Sequence, residues 1–143
     1  MATQEQLRKV FNDNFMAYLH SHIAHVNLVG RNFHSDHELL GGIYEDLQGQ
    51  IDTIAELLRS LQDFMPTSIA EITDGSEIPD NIIEGTADDL LAEILANVED
   101  LKGCYEELIS VANAEGHDEI ANYAQDRVLA LAKHAWMLRS TLE

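Results

Sequence analysis

The chain holds only two prolines, Pro66 and Pro79, and both stand in its middle. Proline breaks a helix because it lacks an amide donor and its ring clashes with the preceding turn. Residues 1–65 and 80–143 are therefore free of the strongest helix breaker, and apolar side chains recur through both at helical spacing. Leu7, Phe11, Phe15 and Tyr18 lie four, four and three apart. Continued at 3.6 residues per turn, this stripe passes through His22 and His25. The first helix is read over Thr3–Val29, opened by a Thr3/Gln6 capping box and closed by a left-handed Gly30.

The second helix is read from about Asn32 or Ser35 to Leu61, with a second capping box at Ser35/Glu38. Its stripe is His37, Leu40, Ile43, Leu47, Ile51, Ile54, Leu58 and Leu61. Residues 62–85 contain both prolines, Gly75 and Gly85, and read as a crossover with a short helix near Ser68–Ile72. A connection this long argues that the helices it joins are not hairpin neighbours. The third long helix opens at Thr86, with Asp88 and Asp89 at its positive dipole end. Leu91, Ile94, Val98, Leu101, Tyr105, Leu108 and Ala112 give it a bundle seam. After Gly116 a fourth helix carries Ile120, Ala124, Val128, Leu131, Ala135, Leu138 and Leu142. No segment alternates as a strand would. The expected fold is all-α, one domain over residues 1–143: a ferritin-like four-helix bundle with one long crossover.

The charge narrows the function. Eight Lys and Arg face 26 Asp and Glu, for a net charge of −18. Nucleic acid phosphates are bound by clustered Lys and Arg, so direct DNA binding is a poor expectation. The first ten residues supply only Arg8 and Lys9, and the sequence closes on Leu142 and Glu143 with no basic tail. At 45% hydrophobic residues the chain can build a core, so the acidity does not signal disorder. Its one cysteine, Cys104, forms no intramolecular disulfide and is expected to pack as a small apolar residue. No apolar run approaches the ~20 residues that span a bilayer. The N-terminus lacks the basic start and apolar stretch of a secretory signal, so a cytoplasmic location is expected.

Metal chemistry is the sharpest signal. His22 and His25 are one turn apart, as are His34 and His37. Asp52 and Glu56, spaced i, i+4, share one face of the second helix. Imidazole and carboxylate together suit divalent first-row metals, iron among them. His37 and Asp52 are fifteen residues apart on one helix, roughly 22 Å along its axis at the α-helical rise. A straight helix cannot bring both to one ion. His25 approaches His37 across the short turn, and a two-fold partner would bring Asp52 and Glu56 of another chain to that pair. No histidine has Glu three positions before it, so the Glu-x-x-His signature of an intra-bundle di-iron site is missing.

These residues carry a family resemblance. The run from His25 to Leu39 (HVNLVGRNFHSDHEL), the Asp52–Glu56 pentad (DTIAE), the turn Glu115–Asp118 (EGHD) and the run Ala132–Arg139 (AKHAWMLR) occur in order. Together they are similar to the mini-ferritins of the DNA-protection-during-starvation (Dps) type. The resemblance implies a hollow dodecamer that oxidises ferrous iron, with hydrogen peroxide or dioxygen, and stores the ferric product. It implies a ferroxidase enzyme whose His25 and His37 come from one subunit and whose Asp52 and Glu56 come from its neighbour. It places Asp118 at an acidic three-fold pore. A di-iron site is implied, with zinc as a substitute ion.

The chain also departs from the pattern. Gly41 stands where the family usually has a ligand Asp, Val26 where it has Trp, Leu57 where it has Arg, and Asn122 at a pore position that is often Asp. The second metal position is thereby weakened. Tyr44 faces roughly the same way as His37 and could assist, whereas Glu45 is turned about 80° from it by the 100° helical step. A metal-binding shell with impaired catalysis, and a DNA-protecting nucleoid protein without strong direct DNA contact, are the alternatives. His22 is expected in the core, His34 at the surface, His134 in a structural hydrogen bond, and Trp136 in a core or an interface.

Overall fold

A computed structural model describes residues 1–143. Five helices form in order: α1 (Ala2–Asn27), α2 (Phe33–Ser60), α3 (Ile69–Gly75), α4 (Ala87–Ala114) and α5 (Asp118–Leu142). α1 packs on α2 and α4, and α4 packs on α5. Arg127 of α5 closes the ring by pairing with Asp46 of α2. α2 and α4 are thus diagonal, as the long connection between them requires. Thirty buried apolar residues from all five helices and the crossover form one core cluster. No helix is long and apolar enough to cross a membrane.

The seam of α4 is the most regular, and all seven of its expected positions are buried. α1 departs from its stripe. Leu7 and Phe11 are buried, but Phe15, Tyr18, His22 and His25 are only half-buried. The inward line instead runs through polar Asn14, His20 and Ser21. Asn14 is accommodated because its Nδ2 donates to the Leu47 carbonyl of α2. His20 is met by the side-chain amide of Asn97 at 3.0 Å. Burial is the largest influence on His20 and pushes its pKa down, against the opposing fields of Glu93 and Asp80.

The helix ends revise three expectations. α1 starts with Met1 at its N-cap and has no side-chain cap. Thr3 is buried inside its first turn, where its amide and hydroxyl both donate to Glu115 Oε1 at the end of α4. α2 starts at Phe33 behind Asn32, whose φ of −101° and ψ of 24° are not the extended geometry a capping box needs. Ser35 lies within that helix and donates back to the Asn32 carbonyl. α1 ends at Asn27 with an extended Leu28, and Gly30 takes its positive φ of 135° in the turn rather than as the helix cap. The Thr86 cap forms as expected: its hydroxyl accepts from the Asp89 amide, and its own amide donates to the Asp89 carboxylate. Ser68 caps α3 through the Glu71 amide.

α2 and α4 close with the same device. His117 N donates to the Ala112 carbonyl and Gly116 N to that of Asn113. Asp63 N donates to the Leu58 carbonyl and Gln62 N to that of Arg59. Both are Schellman motifs, which place one residue in the left-handed region. Gly116 fills that place after α4, with φ 78°, whereas Gln62 fills it after α2, with φ 64°. A side chain there is sterically penalised. Gln62→Gly is expected to stabilise the fold by about 0.5–1 kcal/mol. A higher urea midpoint at unchanged slope would register it, and an unchanged or lower midpoint would refute the strain at this cap.

Candidate metal centre

The short Leu28–Asn32 link sets the end of α1 beside the start of α2. His25 and His37 face each other there, with ring centroids 3.7 Å apart and planes inclined by 16°. His25 Nδ1 lies 2.7 Å from the His37 carbonyl, and His37 Nδ1 lies 2.7 Å from the His25 carbonyl. A carbonyl only accepts, so each Nδ1 carries the proton and donates it. In the tautomer these bonds select, the Nε2 lone pair of each ring is the one left for a ligand. This arrangement of one nitrogen anchored to backbone and the other free is the usual preparation of a metal-binding imidazole.

Both rings line an open depression with Glu38, Gly41, Gly42 and Glu45. Helical phase turns Glu45 about 80° from His37, yet Glu45 is among the residues that line the depression. Glu38 also pairs with exposed His34 across 3.2 Å. Gly41 is buried. A Cβ there would lie 3.0 Å from His25 Cε1 and 3.3 Å from its Nδ1. The space of the missing side chain is thus occupied by the His25 ring. Phe33 stacks on the far side of His37, with centroids 5.0 Å apart.

Asp52 and Glu56 lie exposed in the C-terminal half of α2. The continuous helix keeps Asp52 roughly 22 Å and Glu56 roughly 28 Å from His37 along the axis. They are near each other: the bond that a protonated Glu56 donates to the Asp52 carboxylate, and the negative charge of Asp52, push the Glu56 carboxyl up. Within one chain no three His, Cys, Asp or Glu side chains are grouped to hold a metal ion. The four expected ligands therefore fall into two separated pairs. Asp118 is exposed at the first residue of α5, beyond the Glu115–His117 turn.

Other expectations resolve differently. His22 is half-buried at the α1–α2 seam, bonded to the Tyr18 hydroxyl at 2.9 Å and stacked on Tyr44 at 4.0 Å. His134 makes the structural bond expected of it, to Asp46 Oδ2 at 2.8 Å. Asp46 also receives both terminal nitrogens of buried Arg127, at 2.9 and 2.7 Å. Burial alone would raise the Asp46 carboxyl, but the bonds from His134 and Arg127 together hold it far below the carboxylate range. Nothing in the sequence pattern marks Asp46, since its partners lie more than eighty residues away. Cys104 is buried and takes a bond from Gln6 Nε2 at 3.3 Å, and burial pushes its thiol well up. Tyr105 is fully buried, whereas Trp136 is 57% exposed and belongs to no core.

The ferritin-like domain model matches residues 4–143. A DNA protection during starvation protein of Brevibacillus brevis is 30% identical over 88% of this chain and 85% of its own length. Its namesake from Helicobacter pylori is 27% identical over 99% of both chains. The crystal structure of Dps from Listeria monocytogenes superposes with a TM-score of 0.94 over 99% of this chain and 94% of that one, at 22% identity, and so matches in fold. Helix order, the long crossover and these relatives agree, and the chain belongs to the Dps-like mini-ferritins of the ferritin-like family.

Proposed function

We propose that this chain assembles into a hollow homo-oligomer, a dodecamer by family analogy, that oxidises ferrous iron and stores the ferric product. Each ferroxidase site takes His25 and His37 from one protomer, with Asp52 of the partner subunit and Glu56 of the partner subunit completing it across a two-fold axis. The observation that carries this reading is the reciprocal anchoring of the two imidazoles, which leaves two adjacent Nε2 donors facing an open depression. A pair of exposed, mutually repelling carboxylates elsewhere on α2 is the complementary half. Neutral nitrogen and anionic oxygen donors suit ferrous iron, and zinc would compete for them. Hydrogen peroxide or dioxygen is the oxidant, and removing both iron and peroxide protects the cell from radical damage. Asp118 is proposed as an entry-pore carboxylate, in a cytoplasmic shell whose net −18 per chain draws cations inward.

The same charge separates iron handling from direct DNA binding. Relatives bear DNA protection in their names. An acidic surface repels phosphate unless divalent cations bridge the two, so protection here is proposed to act through iron chemistry.

Gly41 sets the number of ions. Two imidazoles and two carboxylates hold one ferrous ion per site, and calorimetric titration under argon is expected to give that stoichiometry. Gly41→Asp supplies a further carboxylate, but its Cβ must displace the His25 ring by a few tenths of an ångström. The variant is expected to bind a second ion and turn over faster. Two ions in the native chain would refute the reading of Gly41 as a lost ligand.

A further inference from the structure

An aromatic ladder leads away from this site. His37 stacks on His25, and His25 lies 5.0 Å from Tyr44, centroid to centroid. Tyr44 stacks on His22 at 4.0 Å with planes 15° apart. Tyr18 lies 5.6 Å from the His22 ring and 6.2 Å from Tyr44. The Tyr18 hydroxyl ends the ladder 2.9 Å from His22 Nδ1. Every ring from the depression to Tyr18 is in contact with the next, and only the last phenol is bonded to a base. A phenol gives up an electron far more readily when its proton can pass to a hydrogen-bonded acceptor in the same step.

The site also needs such a donor. Cleaving the O–O bond of hydrogen peroxide to water consumes two electrons, and one ferrous ion gives one. Without a second electron the product is a hydroxyl radical. We propose that Tyr18, acting through His22 and Tyr44, supplies that second electron when peroxide reacts at the iron site. The proposal rests on the iron-oxidising reading above. In the step, Fe(II) becomes Fe(III), Tyr18 becomes a neutral tyrosyl radical, and its proton moves to His22 Nδ1. The peroxide O–O bond breaks, and with two solvent protons its oxygens leave as two waters. A second ferrous ion then becomes Fe(III), its electron reduces the radical, and the proton returns from His22 to Tyr18. Tyr18 and Tyr44 are relay residues, since neither touches the ion.

The test uses the assembled protein, loaded with one ferrous ion per site under argon, mixed with hydrogen peroxide and freeze-quenched for electron paramagnetic resonance. The expected result is a tyrosyl radical that accompanies ferric iron and changes hyperfine structure when ring-deuterated tyrosine is incorporated. Tyr18→Phe is expected to lose the signal, with spin-trapped hydroxyl radical rising in its place. His22→Phe keeps a stacked ring without the proton acceptor and is expected to lower the radical yield. Ferric iron formed in the native protein without a tyrosyl radical overturns the relay alone, and so does a signal unchanged in Tyr18→Phe. A native protein that forms no ferric iron, or a His37→Ala variant that oxidises iron as fast as the native one, overturns the site itself.

Discussion

Co-expressing two impaired variants is expected to restore iron oxidation. His37→Ala removes an imidazole and Asp52→Ala a carboxylate, and each alone is expected to slow ferrous oxidation by at least about tenfold, the effect of losing even an outer-sphere partner of a metal ligand. A two-fold pair built from one of each contains one site with both defects and one site with neither. Random mixing in equal amounts makes half the pairs mixed, so about a quarter of all sites recover. A site lying inside one chain would recover nothing, because every protomer would still carry a defect. Stopped-flow absorbance of ferric product measures the rate, and mass spectrometry verifies that the shells are mixed. Mixed shells as inactive as their parents would sink the shared site, as would light scattering that finds only monomers at micromolar concentration with iron present.

Asp46→Ala is expected to be the most destabilising single change in the bundle. It strands Arg127, whose side chain is 7% exposed, with a buried charge and no counter-ion, and it frees His134 on the same side. Breaking a buried pair in this way costs about 3–5 kcal/mol, a large share of what holds a domain folded. The loss also weakens the α2–α5 seam, where the bond from the Tyr123 hydroxyl to Gln50 remains. Replacing both partners, as in Asp46→Leu with Arg127→Met, is expected to recover most of the stability, because no charge is then left behind. The native carboxyl lies far below its unfolded value. Its contribution is therefore complete above about pH 4, the ordinary carboxylate range, and is lost as pH falls from there through the depressed folded value. Asp46→Ala should flatten that part of the acid-denaturation curve. A loss under about 1 kcal/mol by urea unfolding would show the pair to be dispensable.

The parts of the fold that were legible are those where one physical term dominates. α4 could be read position by position because its inward line is apolar throughout. α1 was read less well because Asn14, His20 and Ser21 face inward and are made tolerable by partners on α2 and on α4 or within its own turn. Capping boxes were over-read at Thr3 and Ser35, since the residue pattern is only half of the motif and the backbone angles at the cap are the other half. At the site, the opposition of His25 and His37 followed from the short turn, and the separation of Asp52 and Glu56 from the length of α2. The contact of Tyr44 with His22 was beyond reach, because periodicity fixes which face a residue takes and not the register between two helices. Asp46 was invisible for the same reason, its partners coming from a helix that is distant in the chain.

The crossed bonds between His25 and His37 have a thermodynamic consequence. Each ring is tied to the backbone of the opposite helix, so neither can swing away without uncovering a buried donor and a carbonyl. Fixing two such side chains at the moment of capture would cost about 0.5–1.5 kcal/mol each. Here that ordering is complete once the helices have paired, long before an ion arrives. At the proposed site an ion would thus meet imidazoles already aimed, and that ordering cost would be absent from its binding.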